Sequence, residues 1–274
     1  MKHISYSQLS TYKKCPRSWY LSKVVGAPER PAWYTITGSG VHAMIERYLD
    51  GEYPNSTEWM NGGLNAESYI APLVQKARRV EPDTDQWMFA LDGDKNPIIK
   101  ERAVEHVRVC FERAVEYLED IDVWEVEYDA SGFLPGCEAE IKAFIDIIGE
   151  HKKHGPVIVD WKTGKHKDRF QLDTYSALLA ENGDDYQNID FKGYFAMLAP
   201  WASQSRYLTL DVDPAEVGAE YQNVHNKMKA RLYPTTGVDA VCGFCFHRDN
   251  CLRRSEDKER AAFYDRSEED GIPF

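Results

Sequence analysis

The sequence has no apolar run long enough to cross a bilayer, which takes about 20 consecutive apolar residues. Its Met-Lys-His-Ile-Ser opening lacks the apolar core of a secretory signal. Neither a spanning nor an exported chain is expected, and the expected compartment is the cytoplasm. Positive charge is also short: 33 Lys and Arg stand against 45 Asp and Glu, a net −12. That balance excludes broad, non-specific attraction to polyanions, so contact with nucleic acid has to come from a local basic patch. Part of the acidity is terminal, since residues 255–270 hold seven acids and three bases. Cysteine is sparse, six in 274 residues, and in a reducing compartment six thiols do not make a disulfide framework.

What is present is an ordinary globular composition, 43% hydrophobic and 28% charged. Ser5 to Cys15 reads as a short helix capped by Ser5 or Ser7 and stopped before Pro16, with Tyr6, Leu9 and Tyr12 on one stripe. Lys13, Lys14, Arg17 and Lys23 interleave there with Trp19 and Tyr20, a pattern common to solvated faces and nucleic-acid surfaces. Gly38-Ser-Gly reads as a turn, capped by Ser39, that opens a helix to Leu49. Val41, Met44, Ile45, Tyr48 and Leu49 form its apolar stripe, and His42 and Glu46 share the neighbouring face. An imidazole so placed is either a packed group or a donor for a divalent metal. Residues 51–97 read as an irregular helical insertion. Lys100 to Tyr117 reads as a helix with its apolar stripe at Ala103, Val107, Cys110, Phe111, Ala114 and Val115.

Strands follow. Val123 to Tyr128 reads as one. In the next, Ala139, Ile141, Ala143, Ile145 and Ile147 alternate with Glu138, Glu140, Lys142, Phe144 and Asp146. Val157-Ile-Val-Asp-Trp-Lys162 reads as a buried strand whose Asp160 and Lys162 point to one side. Pairing the last two strands antiparallel about Lys153 sets Asp146 opposite Asp160. Two like charges side by side on a sheet are unfavourable without a cation between them. Carboxylates that hold a divalent ion, next to an ammonium that can orient or deprotonate water, suit attack on a phosphodiester; the bland alternative is an exposed ion pair. After a loop with Lys165, Lys167 and Arg169 comes a helix presenting Gln171 and Tyr175 four apart on one face. Strands at Phe191–Leu198 and Arg206–Val212, and a helix from Pro214 to Leu232, complete the body.

Cys242, Cys245 and Cys251 lie within ten residues, and Cys15 is the natural fourth thiol. Four thiolates suit either closed zinc or a cubane iron–sulfur cluster, and such a site would tie the first residues of the fold to the last.

With these residues in view, the chain resembles the RecB-like branch of the PD-(D/E)xK nucleases, and above all the Cas4-type exonucleases, including those of phages. The parts that carry the likeness are Cys15-Pro16, His42 after Gly-Ser-Gly, Asp146, Asp160-Trp-Lys162, Gln171-x3-Tyr175, and Cys242, Cys245 and Cys251. Where that family often has glycine three residues before the metal-binding Asp, this chain has Ala143. The resemblance implies an α/β, restriction-endonuclease-like core, a mixed sheet flanked by helices, in a single nuclease domain over 1–254 with an acidic tail at 255–274. It implies that His42, Asp146, Asp160 and the Trp161 carbonyl hold Mg2+ or Mn2+, and that Lys162 handles the attacking water. Gln171 and Tyr175 would orient Lys162 and the nucleic-acid backbone, and Cys15, Cys242, Cys245 and Cys251 would carry a [4Fe-4S] cluster. The expected activity is metal-dependent exonucleolytic cleavage of single-stranded DNA or DNA ends in recombination, repair or replication. The alternatives are an end-processing factor working with a recombinase or integrase, and a zinc-stapled, non-catalytic relative. The closing Glu-Glu-Asp-Gly-Ile-Pro-Phe274 resembles the acidic end of bacterial single-stranded-DNA-binding proteins, which implies docking on replication or recombination partners.

Overall fold

A computed structural model describes residues 2–51, 65–89, 94–165, 167–183 and 185–251. Parts of the expected insertion and the whole acidic tail lie outside the described residues. The chain groups into two compact units: Pro31–Ser131 with Ala143–Asp213, and Met1–Arg30 with Gly132–Lys142 and Pro214–Phe274.

The larger unit is built on a five-stranded sheet of order β2-β4-β5-β6-β7, formed by Ile121–Asp129, Phe144–His151, Gly155–Lys162, Lys192–Met197 and Leu208–Thr209. It is mixed: β5 and β6 run parallel, and the other neighbours are antiparallel. Alternation decides what each side of β5 meets. Val157, Val159 and Trp161 join one apolar cluster with Trp33, Val41, Met44 and Ile45, with Ile70, and with Val107, Cys110 and Phe111. Those partners sit on helices α3 (Trp33–Leu49), α4 (Ala66–Ala77) and α5 (Lys100–Leu118). The intervening Asp160 and Lys162 therefore point to the other side, where α6 (Arg169–Asn182) packs on β5 and β6 through buried Leu172, Leu178 and Leu179.

The alternating run from Ala139 to Ile147 is two strands, not one. β3 (Glu140–Lys142) pairs parallel with β1 (His3–Ser5) in the smaller unit, while β4 joins the large sheet. Ala143 is the break, its N–H donating to Ser131 Oγ at 3.1 Å and its carbonyl accepting from Ala130 at 3.0 Å. A second difference concerns α3. It begins at Trp33, after Ala32, so Gly38-Ser-Gly lies inside the helix and Ser39 is no cap. The glycines serve close approach: a Cβ on Gly40 would stand 2.7 Å from Ile70 Cγ2, and one on Gly38 3.2 Å from Thr163 Oγ1. The strand expected over Arg206–Val212 is reduced to Leu208–Thr209.

In the smaller unit, Ser5 caps α1 (Tyr6–Lys14), its Oγ accepting from Gln8 N at 3.3 Å. The α2 helix (Pro16–Tyr20) follows at once, with proline at its first position where no N–H is missed. Tyr233 stacks on Tyr20 and Trp19, ring centroids 4.6 and 5.8 Å away. The α7 helix (Pro214–Lys229) comes so close to the loop before β3 that a Cβ on Gly218 would meet Pro135 O at 2.2 Å. Residues 242–251 complete the unit through α8 (Asp239–Gly243) and a 3-10 turn (Arg248–Asn250).

Candidate active site

The β4–β5 ladder pairs Ile147 with Val159, Ile148 with Ile158 and His151 with Gly155, a register centred on Lys153. One pair further sets Asp146 against Asp160. On the other side of β4, Val126 pairs with Ile147 and Tyr128 with Ile145, so Glu127 between them stands opposite Asp146. Three carboxylates thus form a row across β2, β4 and β5. Glu127 has a left-handed backbone, φ 48°, costly for a side chain with a Cβ.

Each member of the row has different company. Asp146, 8% exposed, accepts the Trp161 N–H on Oδ2 at 2.7 Å, and its Oδ1 lies 3.5 Å from His42 Nδ1 on α3. Asp160, 3% exposed, accepts from Gln171 Nε2 on Oδ1 at 2.6 Å, while its Oδ2 lies 2.5 Å from Lys162 Nζ. That Oδ2 is buried with no aligned hydrogen-bond donor. Gln171 is held from three directions: Nε2 also donates to Tyr175 Oη at 2.8 Å, and Oε1 accepts from Lys162 Nζ at 2.9 Å. A lysine can only donate and an ionised carboxylate only accept, so these neighbours dictate which way the amide faces. Lys162 Nζ also lies 5.5 Å from the Phe195 ring centroid.

The charges strain against one another. Burial, then the neighbouring Asp146, holds Asp160 above the usual carboxylate range despite the opposing pull of Lys162. Burial and Asp146 also raise Glu127. At His42 burial works against the charge, but the Asp146 carboxylate, with Asp160 and Glu127 behind it, more than offsets this and carries the imidazole to about 9. Such a set favours a bound cation. His42, Glu127 and Asp146 each offer a donor atom within 4.8 Å of the others, and Asp160, paired with Lys162, stands next in the row. Mixed imidazole and carboxylate donors fit a divalent ion of the magnesium or manganese type.

The structure therefore brings together His42, Asp146, Asp160, Trp161, Lys162, Gln171 and Tyr175. It adds Glu127, which no sequence motif marks; the signal would have been its cross-strand position, had the register of β2 been known.

The four cysteines singled out by spacing all fall in the smaller unit. Cys15 sits between α1 and α2, its N–H donating to Thr11 O at 2.9 Å. Cys245 Sγ lies 3.7 Å from Ser18 Oγ, and its thiol is raised by burial with Cys15 and Cys251 adding to the effect. The loop that carries it is fastened to residues 28–30: Arg30 N–H donates to Phe246 O at 2.9 Å, Asn250 Nδ2 to Pro28 O at 3.1 Å, and Arg30 pairs with Asp249 at 3.2 Å. Cys110 lies in the apolar core of the larger unit, where burial pushes its thiol up to about 12, and Cys137 is bonded locally to Ala139 O.

A mixed sheet flanked by helices, with acids and a lysine gathered where β4 and β5 part, defines a restriction-endonuclease-like core. The sequence profile of the PD-(D/E)XK nuclease superfamily matches residues 3–252, and the chain belongs to that superfamily. Its members are phosphodiester hydrolases that use divalent metal ions. No curated protein matches the chain. A solved structure described as "Crystal structure of SSO0001" is similar over 93% of this chain and 88% of its own, at 12% identity and a TM-score of 0.40. Among the described residues, no helix is long and apolar enough to cross a membrane.

Proposed function

We propose that the chain is a metal-dependent DNA exonuclease of the Cas4 type, acting on single-stranded DNA or on DNA ends. The observation that carries this reading is the row Glu127, Asp146, Asp160 with Lys162 locked beside its last member by Asp160 and Gln171. His42, Asp146 and Asp160, with the Trp161 carbonyl, would hold Mg2+ or Mn2+, and Glu127 offers a donor atom within 4.8 Å of those of His42 and Asp146. When bound, the ion supplies Lewis acidity toward the scissile phosphate and lowers the pKa of a water.

The chain's own groups do the rest. Lys162 positions or deprotonates the attacking water and balances charge on the phosphate. Gln171 fixes both Lys162 and Asp160, and Tyr175 holds the second hydrogen of the Gln171 amide. Trp161 buries its ring in the core while its N–H anchors Asp146, so one residue sets the level of the strand and the angle of the carboxylate. In the smaller unit, Cys15, Cys242, Cys245 and Cys251 carry a [4Fe-4S] cluster that staples the first helix to the closing loop.

End-labelled single strands, labelled at either end and incubated with Mg2+ or Mn2+, test the activity. Asp160→Ala and Lys162→Ala should each abolish degradation, a drop of at least about 1000-fold if they serve as ligand and water-handling group. Circular dichroism should show both variants folded. Full activity in either refutes the mechanism, and release of internal fragments in place of mononucleotides or short ends refutes the exonuclease.

A further inference from the structure

Phe144 is a large apolar side chain left in water next to the row of acids. It is 52% exposed, although Ile145 and Ile147 on the inner stripe of the same strand are fully buried. It pairs with Asp129 in the β2–β4 ladder, so its backbone is regular strand, and alternation turns it to the side of Asp146 two residues on. Two residues of strand span about 7 Å, comparable to the reach from a phosphodiester to the base of the same nucleotide.

We propose that Phe144 is the platform on which a nucleobase of the substrate stacks while its phosphate rests at the acid row. This deepens the nuclease reading above and rests on it. A base lying flat on the ring has left its duplex, so the strand entering this site is unpaired there. Every base presents a π-face, so the contact selects single strands without selecting sequence. Exposed Lys165 and Lys167, on the loop that follows β5, supply a local positive charge for the strand's phosphates that the chain as a whole lacks.

The test measures binding of a short oligothymidylate, and of an abasic strand of equal length, to protein made inactive by Lys162→Ala, with Mg2+ present. Adding Phe144→Ala should weaken oligothymidylate binding about tenfold, the scale of one lost base–aromatic stack. Phe144→Trp should keep the affinity and show its added indole emission quenched on binding. The abasic strand should bind equally well with and without the Phe144→Ala substitution, which a merely structural role would not produce. Unchanged oligothymidylate affinity in Phe144→Ala, or an equal loss on the abasic strand, overturns the proposal and leaves the nuclease reading standing. Failure of both the Lys162→Ala protein and the unsubstituted protein held inactive in Ca2+ to bind either strand overturns both.

Discussion

At the scale of single residues, the site holds more negative charge than its surroundings solvate, and His42 is the group that currently absorbs it. With the cation absent, the imidazole stays protonated to about 9, because the pull of Asp146 exceeds the cost of burying its charge. A metal ion that takes His42 as a ligand must displace that proton, since only neutral imidazole donates a lone pair. Apparent Mn2+ affinity should therefore rise with pH, by up to about tenfold per unit between pH 7 and 9, and level off above. Calorimetric titration in two buffers of different ionisation heat would count close to one proton released at pH 7. His42→Ala should bind more weakly and lose this dependence. A slope that survives the substitution would assign the proton elsewhere, with the raised Glu127 carboxyl the next candidate.

At the scale of elements, α3 shows how a short signal can be misread. Glycine next to serine usually marks a turn, yet here Gly40 lets α3 come close to Ile70 of α4 and to fully buried Val107 of α5. Replacing a mid-helix glycine by alanine gains about 1 kcal/mol of helix propensity. Forcing a methyl to within 2.7 Å of Ile70 Cγ2 costs about 1–3 kcal/mol in a core that cannot yield. Gly40→Ala should therefore be net destabilising by about 1 kcal/mol. Exposed Ser39, inside the helix, should tolerate alanine and gain a few tenths of a kcal/mol, roughly the propensity difference. Urea denaturation midpoints decide it: a cap would lose about 1 kcal/mol at Ser39→Ala. The β4–β5 pairing was legible, because a short hairpin with its centre at Lys153 leaves one register that buries Ile147 and Val159, and it places Asp146 by Asp160. Glu127 was not legible. Its position depends on an irregularity between Val123 and Glu125, and on a chain that leaves the sheet after Asp129 to form β3 in the other unit before returning as β4. The Gln171–Tyr175 pair followed from helical spacing alone, whereas its grip on both Asp160 and Lys162 required the parallel β5–α6–β6 crossover.

At the scale of the whole molecule, the smaller unit is a problem in chain entropy. It is assembled from three stretches, residues 1–30, 132–142 and 214 onward, with the larger unit's residues threaded between them. Its apolar contacts join stretches far apart in the chain, such as Tyr233 on Trp19 and Tyr20, and its closing loop rests on polar clamps to Glu29 and Arg30. A metal cluster joining Cys15 to Cys242, Cys245 and Cys251 would close a loop of more than about 200 residues, and a cross-link of that span is worth about 5 kcal/mol in the loop-entropy picture. At about 2–4 °C per kcal/mol for a chain of this size, Cys15→Ser should lower the Tm of anaerobically purified protein by ~10 °C or more. It should also bleach the brown colour of an iron–sulfur centre. Cys137→Ala, whose sulfur bonds only to Ala139 O among the contacts described, is the control and should keep the colour, with a Tm change of only a few degrees. If Cys15→Ser keeps both colour and Tm, the staple does not run through the first helix. A colourless native protein that yields zinc on denaturation would keep the staple and replace the cluster, because four thiolates close the same loops around either centre.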